Sequence, residues 1–318
     1  MKPFYKDLFT SIVFGLLVPG LLLGIGSFFH RDMSPEQEST IAQIHREQRE
    51  ISVLTENGIR QMGMEDYLTG VILAEMPASF AEEAQKAQAV VARTYTLRAS
   101  NGKSKHQDAV VCTDSACCQG YLSDEDYLTK GGTQEGIGKM RKAVQQTADL
   151  VLVYEDQLIE ATYFSCSGGT TEDAVAVWGT DIAYLQSVTS PGEENATHYS
   201  DTVVYSPEEF EKALDIKLSN DPGKWIEDVT YTQGNGVDTM VICGNTFKGT
   251  DLRKRLDLRS TSFTMNAQED KIIIVTRGYG HRVGMSQYGA NAMAEEGRTF
   301  QEILAHYYQG TSLMQMED

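Results

Sequence analysis

The sequence predicts an α+β protein: mixed helices and short antiparallel strands forming a main domain with an inserted subdomain, after a single N-terminal transmembrane helix. Three observations carry this. Some windows place apolar residues at helical spacing, whereas others are short β-rich runs joined by tight turns. Residues 8–29 are 22 consecutive positions without a charged side chain. The rest of the chain is balanced for a packed core, with 41% hydrophobic and 23% charged residues among 318. That composition excludes a disordered polyelectrolyte and a polytopic membrane protein.

Residues 8–29 reach ~33 Å as a helix, enough for a hydrocarbon core of roughly 30 Å. Lys2, Lys6 and the terminal amine precede them, and Arg31, Asp32, Glu36 and Glu38 follow. The positive-inside bias then puts residues 1–7 in the cytoplasm and the body of the chain outside it. The alternative is a cleaved signal peptide, for which Gly24-Ile25-Gly26 supplies a small-x-small pattern, although its apolar region would exceed the usual roughly 7–15 residues. Residues 1–30 are therefore a stub and anchor, and the polar residues 31–50 a stalk.

Within residues 51–318, ISVL and IRQM flank Asn57-Gly58 and predict a hairpin. Leu68, Val71 and Ile72 recur at helical spacing in 65–75, and Pro77 stops that helix. Ser79-x-x-Glu82 reads as a capping box opening a second helix, whose Ala81, Ala84, Ala87, Ala89 and Ala92 imply close packing. Residues 101–149 read as loop-rich, and LVLVYEDQLIEATYFSCS as a hairpin around Glu155-Asp156. Residues 190–270 combine a short helix opened by Ser206-Pro207 with strand-like runs around Gly234-Asn235-Gly236, the inserted subdomain. KIIIVTRG is the expected last strand. A helix over about 285–296 closed by Gly297 follows it, then one with the capping box Thr299-x-x-Glu302 and a stop at Gly310.

The charge balance narrows the partners. With 45 acidic and 27 basic residues, net charge −18, and no Lys/Arg-rich block, the chain lacks the basic stripe that a nucleic-acid backbone requires.

Glu75 is the most suggestive carboxylate. It ends an apolar helix (VILAEMP), where the negative end of the helix dipole and apolar neighbours raise a carboxyl pKa, as a general acid near neutral pH requires. Lys86 and Arg93, seven residues apart on the next helix, share a face and can counter its charge or bind polar substrate groups. The plainer alternative is a surface acid and two solvated cations.

His106, Cys112, Cys117 and Cys118 gather one imidazole and three thiols within 13 residues, a ligand set for tetrahedral zinc. Such a shell leaves no open position, so the zinc would be structural. A disulfide with a free thiol, or packing alone, are the alternatives. Cys166, in Thr162-Tyr163-Phe164-Ser165-Cys166-Ser167-Gly168-Gly169-Thr170-Thr171, is a candidate nucleophile with His281 as base, which would make a cysteine hydrolase, or else a buried packing residue. Thr171 and Tyr184 are candidate sugar-hydroxyl binders, or turn and rim residues. In the glycine-dense run 278–289, Ser286 reads as a helix N-cap and His281 as the substrate-contact candidate; the run is neither a nucleophile elbow nor a dinucleotide loop.

Together these blocks resemble the stage II sporulation protein D family. They are Glu65-Asp66-Tyr67-Leu68 leading to Ala74-Glu75-Met76-Pro77, then Ala87 to Thr96 through Arg93, then Phe164 to Thr171, and Gly280-His281 through Gly289-Ala290. The resemblance covers about residues 60–310. It implies a membrane-anchored lytic transglycosylase that cuts the MurNAc–GlcNAc bond of peptidoglycan glycan strands during sporulation engulfment, after stem peptides have been removed, and leaves a 1,6-anhydro sugar. It implies an amidase partner, stage II sporulation protein P, a membrane scaffold, stage II sporulation protein M, and a place on the mother-cell membrane facing the intermembrane space. It also implies Glu75 as catalytic residue, substrate contacts from Lys86, Arg93, Thr171 and Tyr184, and zinc on His106, Cys112, Cys118 and Cys117. A non-catalytic glycan-binding scaffold is the remaining alternative, and the presence of Glu75 favours the enzyme.

Overall fold

The structure, a computed structural model, describes residues 49–316. The expected anchor at 8–29 and stalk residues 31–48 lie outside the described residues. Among the described residues no helix is long and apolar enough to cross a membrane, and this overturns the single-pass membrane placement.

The chain is a mixed α/β protein with several short antiparallel sheets. β1 (Glu50–Thr55) and β2 (Gly58–Gly63) form the expected hairpin, with Thr55 opposite Gly58 and the turn closed at Gly58, whose φ of 98° suits glycine. α1 (Met64–Glu75) buries Tyr67, Leu68, Val71 and Ile72 completely. It stops because Met76 turns extended ahead of Pro77. α2 (Glu82–Arg98) begins later than the Ser79 box predicts, with Ala81 as its N-cap. The reason is Phe80, which turns into the core against Tyr288, ring centroids 5.0 Å apart, while its N–H donates to the Pro77 carbonyl. That turn takes Ser79 out of capping register, and Asn291 Oδ1 accepts from the Ala81 N–H instead.

After β3 (Val111–Cys112), which pairs parallel with β1, the segment expected to be loop-rich contains α3 (Asp124–Thr129) and α4 (Gln134–Gln146). Ser123 and Thr133 cap them, and α4 buries Ile137, Met140, Ala143 and Val144 along one face. The glycines at 136 and 138 obscure that stripe in the sequence, and packing on α1 and α2 overrides their low helix propensity. β4 (Leu150–Tyr154) and β5 (Gln157–Leu158) make the expected hairpin, with Glu155 and Asp156 both at positive φ in the turn.

The remaining elements are β6 (Tyr163–Phe164), α5 (Ala174–Trp178), β7 (Ser200–Tyr205), α6 (Pro207–Leu214), β8 (Ile226–Tyr231), β9 (Val237–Ile242), β10 (Asn245–Lys248), α7 (Gly249–Arg255), β11 (Phe263–Ala267), β12 (Ile272–Arg277), β13 (Met285–Ser286), α8 (Gln287–Glu295), α9 (Phe300–Tyr307) and β14 (Ser312–Gln315). The Ser206 and Thr299 capping boxes form, and Ser286 caps α8. KIIIVTRG is not the last strand. β13 pairs parallel with β6, and β14 pairs antiparallel with β4. Strands this short are defined by distant partners, so no local pattern announces them.

Two cores result. The larger packs α1, α4, α8 and α9 around α2, whose alanines at 84, 87, 89 and 92 are fully buried and allow the close approach. The second gathers Phe210, Leu214, Trp225, Met240, Ile242, Leu252, Phe263 and Ile274 between the sheets β10-β9-β8 and β11-β12-β7. Arg282, almost wholly buried, ties the glycine-rich loops together. Its guanidinium donates to the carbonyls of Ser167, Thr170 and Gly234 at 2.6–2.7 Å and to Glu172 Oε1 at 3.0 Å. Those four contacts hold it at φ 67°, a conformation unusual for a non-glycine residue.

Candidate active site

A cavity of 740 Å³ opens where the C-terminal end of α1, the Cys117–Cys118 loop, β6, the residues after α5, the 279–281 loop and the start of α8 converge. Glu75 faces it because α1 ends there. The Gly120 N–H donates to Glu75 Oε1 at 2.7 Å and Gln287 Nε2 approaches Oε2 at 3.4 Å. Burial raises the Glu75 pKa, opposed by hydrogen bonds from Gly120, Gln287 and the Tyr163 hydroxyl. Burial dominates, so this carboxyl keeps its proton to higher pH than an ordinary glutamate. Tyr163 is itself pushed far up by burial and by Glu75, and stays a hydroxyl donor.

Gly120 is placed by its neighbour. The Gln119 side chain, buried, donates to Thr96 Oγ1 at 3.1 Å and to the Tyr67 hydroxyl at 3.4 Å, and its Oε1 lies 3.3 Å from the Tyr163 hydroxyl, whose one proton it shares with Glu75. A Cβ on Gly120 would come within 2.9 Å of Glu75 Oε1, so only glycine lets the backbone approach so closely. Gln119, Gly120, Tyr163 and Gln287 were not singled out from the sequence. The one available signal was position, since Gln119-Gly120 directly follows Cys117-Cys118.

His106, Cys112, Cys117 and Cys118 do come together, their ligand atoms all within 4.8 Å of one another. His106 Nε2 stands 3.4 Å from Cys118 Sγ and 3.6 Å from Cys117 Sγ, and the two sulfurs are 3.9 Å apart. Bond lengths of about 2.0–2.3 Å give a tetrahedral shell edges of roughly 3.3–3.8 Å, so the separations among His106, Cys117 and Cys118 lie close to those a small, thiolate-loving cation requires. All five cysteines are unbridged, which corrects the disulfide alternative.

The other expected contacts separate. His281 lines the cavity, but both its nitrogens are engaged: Nδ1 accepts from the Val283 N–H at 3.1 Å and the ring also bonds the Tyr163 backbone. Burial, with Arg253 nearby, lowers its pKa to about 4, so it is neutral near pH 7. Lys86 sits in ion pairs with Glu83 at 2.7 Å and Glu82 at 3.2 Å, and Glu83 in turn accepts the Phe300 N–H at the start of α9. Arg93 is completely buried, donating to the carbonyls of Thr147 and Val144 at the end of α4 and to Glu65. Its charge serves the helix C-terminus. Thr171 is buried and closes onto Val188, its hydroxyl accepting from that N–H at 2.8 Å. The Tyr184 hydroxyl accepts from the Glu160 N–H at 2.9 Å, while its ring packs on Tyr154. These four are not among the residues lining the cavity.

Cys166 is fully buried, its thiol directed at the His198 carbonyl, 3.7 Å away, and its pKa is pushed up to about 12 by burial. Cys166 is buried, is not among the residues lining the cavity and sends its thiol to the His198 carbonyl, while His281 accepts from the Val283 N–H, so the two do not make a nucleophile–base pair and the cysteine-hydrolase alternative is not supported. The amides of Ser167, Gly168 and Gly169 converge not on an open ligand site but on Glu193, an internal carboxylate.

A cleft of mixed polarity with a partly buried acid of raised pKa, beside a Cys/His cluster, defines a class of cleft protein with acid–base capacity. Comparison with known proteins gives it a family. The profile described as Stage II sporulation protein matches residues 54–154. Stage II sporulation protein D of Bacillus subtilis (strain 168) is 40% identical over 264 residues, covering 81% of this chain and 76% of that protein. Its namesake from Bacillus amyloliquefaciens is 35% identical over 336 residues, 100% of this chain and 97% of the relative. The Amidase enhancer of Bacillus subtilis is 29% identical across 77% of this chain but 40% of its own length. The chain belongs to the stage II sporulation protein D family, whose role is in sporulation.

Proposed function

We propose that this protein is a peptidoglycan lytic transglycosylase, cleaving the MurNAc–GlcNAc bond of glycan strands already stripped of stem peptides during sporulation engulfment. The observation that carries the reading is Glu75: a carboxyl with a raised pKa, facing a cavity of 740 Å³, with donors on both oxygens. Protonated Glu75 donates to the glycosidic oxygen as the C1–O bond breaks, releasing the GlcNAc 4-hydroxyl. The carboxylate so formed is stabilised by the Gly120 N–H and the Gln287 amide. It then takes the proton of the muramic 6-hydroxyl as that oxygen bonds C1, which closes the 1,6-anhydro ring and returns Glu75 to its starting state. No water is consumed, so one carboxyl suffices.

The other carboxylate on the cavity wall, Glu160, is held by Arg98 Nη1 at 2.5 Å, so it is poorly placed to activate water. His106, Cys112, Cys117 and Cys118 would hold zinc, and the ion would supply a cross-link of the loop that leads into Gln119-Gly120. With four protein ligands it leaves no position for substrate. Metal analysis of the purified chain should find about one zinc per chain; a metal-free, equally stable chain contradicts this. Stage II sporulation proteins P and M are the expected partners, the first supplying the denuded strand; failure of either to co-purify with this chain would count against them.

Mass analysis of products from denuded glycan tests the reaction. Anhydro-ended fragments are expected, and they should persist in Glu160→Gln. Reducing-ended sugars that vanish in Glu160→Gln would instead identify a two-carboxylate hydrolase.

A further inference from the structure

Among the exposed large apolar side chains, Trp178 and Tyr279 are the two that also line the cavity with Glu75. Trp178 is 42% exposed and Tyr279 43%. Neither is a loose surface residue. Trp178 ends α5 just before Gly179, whose φ of 74° turns the chain. Its ring packs at 5.6 Å on His281, which packs at 5.6 Å on Phe164. Tyr279 is presented between Gly278 and Gly280, both at positive φ, and its backbone bonds to that of Cys166 in both directions. His198 packs on its ring at 5.5 Å, and the Arg259 guanidinium lies 5.6 Å from its centroid. Arg259 is itself held by Asp201 and His198.

Each ring is thus braced by protein while leaving over two fifths of its surface to solvent. Leaving a rigid aromatic face wet is unfavourable unless something covers it. The cavity wall is mixed, with the hydroxyls of Thr180 and Ser165 and the carboxylate of Glu160 among the lining residues. Apolar flat faces in a cavity that also offers hydroxyls and a carboxylate match a pyranose, which has an apolar C–H face and a hydroxyl-bearing edge.

We propose that Trp178 and Tyr279 are stacking platforms for two sugar rings of the bound strand, holding it so that the bond to be cut lies at Glu75. The proposal rests on the glycan-strand reading of the cavity. Both are binding residues and take no proton. Their contribution should therefore fall on KM rather than kcat, unlike that of Glu75.

The test uses the full chain and a chito-oligosaccharide tetramer as probe. The sequence has two tryptophans, and Trp225 is buried in the second core with its indole N–H donating to the Ser219 carbonyl at 2.7 Å. A probe-induced change in tryptophan emission therefore reports Trp178. It should occur in the unmodified chain and in Tyr279→Phe, and disappear in Trp178→Phe. Trp178→Ala and Tyr279→Ala should each weaken probe binding about three- to tenfold and raise KM for denuded glycan similarly, with kcat nearly kept and unchanged melting curves. Tyr279→Phe should retain affinity. No binding to the unmodified chain, or the unmodified chain's affinity retained in either alanine variant, overturns the platforms. If binding depends on Trp178 but no anhydro product forms, the platforms stand and the proposed reaction falls.

Discussion

Two carboxylates, Glu75 and Glu193, sit beside glycine-marked segments of one molecule, and their surroundings differ in kind. Glu193 is 1% exposed and takes the backbone N–H groups of Ser167, Gly168 and Gly169 together with the hydroxyls of Ser167, Ser190 and Ser286. Every lone pair has a donor, and the carboxylate works as an internal clamp for the loop after β6. Glu75 receives a single backbone N–H, one distant amide and the Tyr163 hydroxyl, and it faces a cavity. The contrast separates anchoring from chemistry: a carboxyl saturated with donors ties loops together, whereas burial with few donors leaves a proton poised for transfer.

The largest effect is expected from breaking the clamp. Glu193→Ala leaves the Ser167 and Gly168 amides and the Ser167 hydroxyl without an acceptor, while Gly169, Ser190 and Ser286 keep other partners, and at roughly 1–3 kcal/mol for each buried unsatisfied group a loss of about 4–5 kcal/mol or more, or failure to fold, should appear in thermal or urea unfolding. A near-normal melt would contradict the assignment. Glu75→Gln should do the reverse, lowering turnover of denuded glycan by about 10²- to 10⁴-fold while the fold persists, as checked by kinetics beside a melting curve.

Gly120→Ala sharpens the comparison on a smaller scale. Its Cβ would lie 2.9 Å from Glu75 Oε1, so the carboxyl must shift, and kcat should fall about tenfold with stability within about 1 kcal/mol. Unchanged kcat would show that the Gly120 contact does not set the acid's position.

The smallest effect is on stability against pH. Because the folded state raises the Glu75 pKa above its ordinary 4.5, it binds that proton more tightly than the unfolded chain does. The associated stability is complete below about pH 4.5 and is lost as pH rises through the folded value. The unmodified chain should therefore lose stability relative to Glu75→Gln over that window, read from urea unfolding at a series of pH values. A constant difference would contradict a raised pKa.

Much of this arrangement was legible in the sequence where short-range chemistry decides. Pro77 ends α1 at Glu75, Asn57-Gly58 and Glu155-Asp156 turn hairpins, and Ser206, Ser286 and Thr299 cap their helices. The His106–Cys118 cluster was legible because its members lie close along the chain. What escaped depends on which face of an element meets which neighbour. Lys86 and Arg93 share a helix face by spacing, yet one ends in a surface ion-pair cluster and the other under the C-terminus of α4, a helix hidden by its glycines. Thr171 reads as a ligand contact because Val188, whose N–H occupies its hydroxyl, lies 17 residues further along the chain. Gly120 and Gln287 reach Glu75 from distant segments, and nothing in the local pattern marks them.

The central claim is that Glu75 holds its proton abnormally well in the free protein. Carbon-13 NMR of a glutamate-labelled chain, with the Glu75 signal assigned by its loss in Glu75→Gln, measures this directly. A titration midpoint above the ordinary 4.5 is expected. A midpoint at or below that value would contradict it.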